Sequence, residues 1–211
     1  MTIARWAIVV LLVLFGHSLS VQAQTPTRSL RATWSEGRPE VSFDLSSMVD
    51  DHIRTEVRSG LSRTLAIQVL AYRRSGGRPI AAEQITVRVL YDLWEDIYRV
   101  QRRVGDQSQT VRARTIEGAI AACFTVAGQP VGQAADWARL NDREIYFAVV
   151  AEFNPVSDAT VRQVRRLISR RNTQSLDNAT VGSFVSLFVN RQIGEADRVL
   201  RFRSRFQRAR P

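Results

Sequence analysis

Three acids crowd into five residues, Asp92, Glu95 and Asp96, within the run Tyr91-Asp92-Leu93-Trp94-Glu95-Asp96-Ile97-Tyr98. Paired carboxylates can act as general acid and general base, and Trp94 with Tyr98 would offer sugar-stacking rings. That combination is what a hydrolase needs. The competing use is a bend between two strands whose acids pair with Arg88, Arg99 or Arg102. Nothing in the sequence marks the cleft that a catalytic dyad requires. The bend is therefore the expectation, and a hydrolase using Asp92, Glu95 or Asp96 the lesser alternative.

Other chemistry is scarce. The chain has two histidines, His17 and His52, and one cysteine, Cys123. These cannot assemble the usual zinc or copper ligand sets, so no metal and no cofactor is expected. Cys123 lies in Ala-Ile-Ala-Ala-Cys-Phe, an apolar helical context in which a free thiol packs rather than reacts. His52 stands among Asp51, Arg54 and Glu56, and there is no Gly-x-Ser-x-Gly elbow to supply a serine nucleophile. Neither a phosphate loop nor a dinucleotide fingerprint is present. The protein is expected not to be an enzyme.

The arginines carry the remaining signal. All 30 basic residues are arginine, against 20 acids, for a net charge of +10. Residues 24–161 hold 17 arginines and 17 acids, whereas residues 162–211 hold 12 arginines and three acids. The excess charge thus lies in the C-terminal quarter. Arg162, Arg165 and Arg166 on a helix, with Arg201, Arg203 and Arg205 on one face of a strand, form the candidate surface for an anionic partner. An envelope protein or an anionic lipid surface fits that charge. Nucleic acid does not, because no nucleic-acid-binding motif accompanies it. The opposing use of the same arginines is to shield an edge strand from pairing with other chains.

The elements that must position these residues follow from periodicity. Arg5 precedes an apolar run from Trp6 to Phe15, and small residues flank the end at Val21-Gln22-Ala23. This reads as a secretory signal, residues 1–23, cleaved after Ala23. Ten apolar residues rise only about 15 Å as a helix, too short to span a bilayer. The mature chain, 24–211, reads as a single β-rich domain. Residues 24–28 are expected as a disordered lead. Leu30, Ala32 and Trp34 alternate with polar residues, as do Val41, Phe43 and Leu45 after the turn at Glu36-Gly37, which predicts a hairpin. Ser46 or Ser47 is expected to cap a helix carrying Ile53 and Val57 and closed by Gly60.

Leu65 to Ala71 and Ile85 to Tyr91 read as further strands, and the alternation resumes from Ile97 to Val100. Thr115 would cap a short helix, Ile116–Phe124, broken by Gly128-Gln129-Pro130, with a second helical turn through Ala134, Trp137 and Leu140. Glu144 to Phe153 is apolar on both faces and so belongs at the centre of a sheet. A helix led by Asp158, an apolar segment Val181–Val189 and a strand from Leu200 to Phe206 complete the reading. Short turns between most neighbours favour an α+β fold. Its expected form is a mainly antiparallel, sandwich-like sheet arrangement with two to four flanking helices.

Several of these stretches together resemble a known group. Leu30-Arg31-Ala32, Val57-Arg58-Ser59-Gly60-Leu61, Tyr72-Arg73-Arg74 and the run Val89-Leu90-Tyr91-Asp92-Leu93-Trp94-Glu95-Asp96-Ile97-Tyr98-Arg99-Val100 precede a threonine-led short helix. This pattern is similar to the uncharacterised bacterial exported proteins grouped as domain of unknown function number 4390. The resemblance implies a β-rich domain in the cell envelope and brings no catalytic residue. The leading expectation is a non-enzymatic envelope protein that binds a protein partner or the anionic membrane surface through the C-terminal arginines. The second is a carrier of a small apolar ligand lined by Trp94, Tyr98 and Phe147.

Overall fold

The computed structural model describes residues 25–140, 143–155 and 196–210. The stretches read from the sequence as a leader, as a helix begun by Asp158 with Arg162, Arg165 and Arg166, and as the apolar segment Val181–Val189 lie outside the described residues.

The chain opens with β1 (Arg31–Ser35) and β2 (Arg38–Asp44), an antiparallel hairpin closed by Glu36 and Gly37. Both turn residues have positive φ, 51° and 74°. A two-residue turn of that hand matches the right-handed twist of the strands it joins. A 3-10 turn, Ser46–Met48, leads into α1 (Asp51–Arg58). The cap differs from the sequence expectation. Asp50, not Ser46 or Ser47, accepts from the Ile53 amide at 3.0 Å. The Ser46 hydroxyl is committed instead to Asp44. Ile53 and Val57 face the core as expected.

Five strands follow in meander order except for one excursion: β3 (Arg63–Arg73), β4 (Ala81–Asp92), β5 (Ile97–Val104), β6 (Gln107–Ala113) and, after α2 (Ile116–Phe124), β7 (Thr125–Pro130). Then come α3 (Ala134–Trp137), β8 (Glu144–Phe153), β9 (Arg198–Arg203) and β10 (Gln207–Arg208). The Thr115 hydroxyl caps α2 from outside by accepting from the Gly118 amide at 3.1 Å. Arg102 reaches the other end of α2, donating to the Ala122 and Thr125 carbonyls at 3.3 and 2.6 Å. A cation there suits the negative end of the helix dipole.

Two sheets result, one ordered β1-β2-β7 and the other β10-β8-β3-β4-β5-β6, with β9 also alongside β8. Every strand pairing is antiparallel. This is the sheet-rich α+β fold that the periodicity predicted. Two strands were not anticipated. β6 shows no alternation because six of its seven residues are exposed. β7 occupies the stretch read as a helix-breaking turn and pairs with β2, some 80 residues earlier in the chain.

One apolar core lies between the two sheets and the helices. It joins Val41 and Phe43 of the small sheet to Ile67, Val69, Phe147, Val149 and Phe202 of the large one, with Ile120 and Phe124 of α2. Cys123 is part of it, and burial pushes its thiol up to about 12, so it is an inert packing group at neutral pH. β8 is buried along nearly its whole length and sits between β3 and β9, the central place its apolar pattern called for. A smaller cluster of Leu70, Tyr72, Tyr146 and Ala148 occupies the opposite face of the large sheet. No described helix is long and apolar enough to cross a membrane.

The end of the chain departs from the expected continuous strand. Ser204 is buried and its backbone amide bonds the Phe147 carbonyl at 2.8 Å. Its hydroxyl accepts from the Phe147 amide at 2.9 Å and donates to the Arg205 carbonyl at 2.8 Å. A serine side chain thus stands in for the backbone where the strand breaks between β9 and β10. The lead is ordered as well. Thr27 bridges Arg203, with the Arg203 amide donating to Pro26 and the Arg28 amide to Arg203, so residues 26–28 cover the outer edge of β9.

Candidate functional site

The acidic run is the tip of the β4–β5 hairpin. Asp92 accepts from the backbone amides of Trp94 and Glu95 at 3.0 and 3.2 Å. Arg99 pairs with Asp92 at 3.2 Å and with Glu95 at 2.8 Å, and Asp96 accepts from the Tyr91 hydroxyl at 2.5 Å. The two backbone amides, with help from Arg99, hold the Asp92 carboxyl below its usual range. A general acid needs the opposite shift. The acids therefore do what a strand bend asks of them, and the tip offers no acid–base pair. Trp94 is 97 % exposed there and Leu93 68 %.

The rings imagined as a ligand lining are dispersed. Trp94 is at the tip, Tyr98 stacks on Tyr91 at 4.6 Å, and Phe147 lies in the main core against Trp137 at 6.3 Å. A depression of about 440 Å³ does exist elsewhere, lined by His52, Glu56, Arg63, Asn154, Pro155 and Asp197. Its walls are charged: Glu56 pairs with Arg63 at 2.6 Å, and Asn154 donates to Asp197 at 2.9 Å. Such walls are unlike the apolar lining of a carrier. Among the described residues no group of three or more histidine, cysteine, aspartate or glutamate side chains could hold a metal.

The C-terminal arginines divide. Arg201 and Arg203 lie on the outer face of β9 and are half-buried, and Arg205 is exposed. The Arg203 and Arg74 guanidinium groups sit 5.7 and 5.0 Å from the Phe206 ring, which also meets Tyr146 edge-on at 5.6 Å. Arg201 lies diagonally across from Glu152 on β8. Glu152 is only 3 % exposed, and its Oε1 has no hydrogen-bond partner among the described residues. Burial raises its pKa, against a smaller opposing pull from Arg201. A carboxyl with a raised folded-state pKa destabilises the fold as pH rises from its unfolded value through its folded one. Glu152→Gln is accordingly expected to raise the melting temperature by about 2–4 °C at pH 7.5. At pH 4, below the ordinary glutamate range, where the carboxyl is mostly protonated in both states, the difference should shrink towards zero in paired thermal melts. A constant difference across that range would contradict the assignment.

Register assembles a second group of arginines that no local reading brought together. On the outer face of the large sheet, Leu90, Arg99 and Arg112 form one cross-strand row. Arg88, Gln101 and Thr110 form the next, and Thr86, Arg103 and Ser108 the third. Four arginines thus share one face of β4, β5 and β6. Arg99 is taken by Asp92 and Glu95. Arg88, Arg103 and Arg112 are exposed, and their side chains make no hydrogen bond or ion pair among the described residues. No protein-family model, curated protein or solved structure matches the chain. The inner face of β4 and β5 is closed by α2, which also reaches β6. The outer face is therefore the side open to a partner. β9 lies four strands from β5, about 19 Å away at ordinary strand spacing, so Arg201 and Arg203 form a separate group.

Sequence reasoning missed this face because Arg88, Arg99, Arg103 and Arg112 sit in a stretch of near-zero net charge. The available signal was the alternation of Arg88 and Leu90 with buried Val87 and Val89, and of Arg99 and Gln101 with buried Tyr98 and Val100.

Proposed function

We propose that the protein is a non-catalytic, exported envelope protein that binds an anionic partner, a protein or an anionic membrane surface, through arginines on its outer sheet face. The observation that carries this reading is the trio Arg88, Arg103 and Arg112, exposed and unpaired among the described residues on three neighbouring strands. Nearby acids do not neutralise them, because Asp92 and Glu95 are spent on Arg99. Unpaired arginines on an open sheet create a positive potential that attracts anions and is screened by salt. The reading moves the working surface from the C-terminal arginines to β4–β6. The leader-like start and the resemblance to the exported group numbered 4390 support the envelope location.

The test is binding of the mature chain to two probes, phosphatidylglycerol vesicles and polyglutamate, in low and moderate salt. Reversing all three charges, Arg88→Glu with Arg103→Glu and Arg112→Glu, is expected to weaken binding by about 100-fold or more. This takes about 1 kcal/mol for each arginine near an anionic surface. Reversing the exposed Arg205 and Arg210 should leave affinity within about 3-fold. Binding that is insensitive to salt and to the triple reversal would end the proposal.

A further inference from the structure

Among the described residues β6 ends the large sheet, with β5 on one side and no strand on the other. Its register with β5 runs unbroken from Ala113 opposite Tyr98 to Gln107 opposite Val104. In an antiparallel strand every second residue directs both its N–H and its C=O away from the neighbour. Among the described residues, 107–113 make no backbone hydrogen bond outside the β5 ladder. Six of the seven side chains are exposed, so no described element covers this edge. Folds usually blunt such an edge with proline, a bulge or a very short strand. β6 has no proline, no register shift and a length of about 24 Å at normal rise.

What remains is charge, and it selects the occupant. Arg112 points to the outer face from β6 itself, directly opposite Arg99, with Arg103 on the same face of β5. A second copy pairing edge to edge would bring its own Arg112 to the same small area, where like charges repel. An added strand with acids at the positions opposite Ser108, Thr110 and Arg112 would instead face a positive row. On the other side of the pleat, Val111 is 43 % exposed and would meet an apolar or β-branched side chain.

We propose that the free edge of β6 accepts an extended segment of a partner protein that alternates acidic and apolar residues, adding it as a further strand of the sheet. The proposal rests on the arginine-face reading and narrows it to one partner class. Backbone bonds along the edge would supply affinity, and the arginines would choose acidic over other strands.

The experiment uses the mature chain with an eight-residue peptide of alternating glutamate and valine, and two versions N-methylated on all glutamates or on all valines. Each set of methyl groups blocks one edge of the peptide. Strand addition predicts that one version loses binding at least 10-fold while the other stays within about 3-fold. Alternate amides within 107–113 should also gain hydrogen-exchange protection when the unmethylated peptide is present. Equal behaviour of the two methylated peptides overturns strand addition. If Arg103→Glu with Arg112→Glu then still abolishes binding, the arginine-face reading survives by itself. If that double reversal and added salt change nothing, the arginine reading fails even where the edge is protected. Protection of 107–113 without peptide, together with a dimer in sedimentation, would assign the edge to a second copy and overturn the proposal.

Discussion

Trp137→Ala is expected to destabilise the fold by about 4–5 kcal/mol, the largest single-residue effect foreseen for this protein. The Trp137 side chain is fully buried where the two sheets meet. Trp34 of β1 meets it edge-on at 5.4 Å with planes 86° apart, and Phe147 of β8 lies 6.3 Å away. Its indole Nε1 donates to the Val131 carbonyl at 2.9 Å. Truncation removes the ring's transfer energy, opens a cavity between the sheets and strands that buried carbonyl. Domains are typically stable by about 5–15 kcal/mol, so a loss of this size should leave a chain that is barely folded. In urea the midpoint should fall by about 2 M, taking a slope of about 2 kcal/mol/M. Trp137→Phe keeps most of the volume but not the donor, and should cost about 1–2 kcal/mol. A truncation cost below about 1.5 kcal/mol would mean that the ring is not the keystone between the sheets.

Gly132→Ala should follow at about 3 kcal/mol, for two separable reasons. The residue has φ of +70°, a region that costs an L-residue about 1–2 kcal/mol. An added Cβ would also sit 2.5 Å from the Ala81 Cβ and 2.9 Å from Asp136 Oδ2. The first contact is between rigid atoms of a strand start and a loop, so the backbone must shift, at about 1–3 kcal/mol. Asp136 in turn is held by the Gln133 amide at 2.9 Å, which ties the start of α3 to the same spot. Ala81→Gly in the Gly132→Ala background removes the closest atom and should recover about half of the loss. Recovery of all of it would show that the positive φ is harmless. Recovery of none would place the strain elsewhere.

Where side chains alternate between core and solvent, local pattern and tertiary structure agree. Ile85, Val87 and Val89 face the core while Thr86, Arg88 and Leu90 face outward, as their period of two requires. The same holds for the Thr115 cap and for β8, whose two apolar faces admit only a central position. Agreement fails where the pattern has no buried face to report. β6 is Gln-Ser-Gln-Thr-Val-Arg-Ala, polar because both of its sides meet solvent, and its strand conformation comes from the β5 ladder. β7 contains Gly128 and Pro130, both poor strand formers, and is a strand because β2 supplies a partner. The helix cap fell to Asp50 for a related reason. Its carboxylate also receives Arg198 from the far end of the chain, at 2.5 Å, a contact that local preference could not include.

The arginines show the division most directly. Composition by itself determined that the chain is rich in arginine and lacks lysine, that it holds too few histidines and cysteines for common metal or thiol chemistry, and that alternating apolar residues must form sheets. It also located the excess charge in the last quarter, because charge along a chain is additive. Which charges act together is not additive. Arg88, Arg99, Arg103 and Arg112 come from three strands and share a face only through two hairpin registers, in which a slip of one residue would send an entire strand's side chains to the other side. Two of the acids that balance them in the count, Asp92 and Glu95, are consumed by Arg99 at the hairpin tip. Only the folded pairing of strands decides which arginines remain open to a partner.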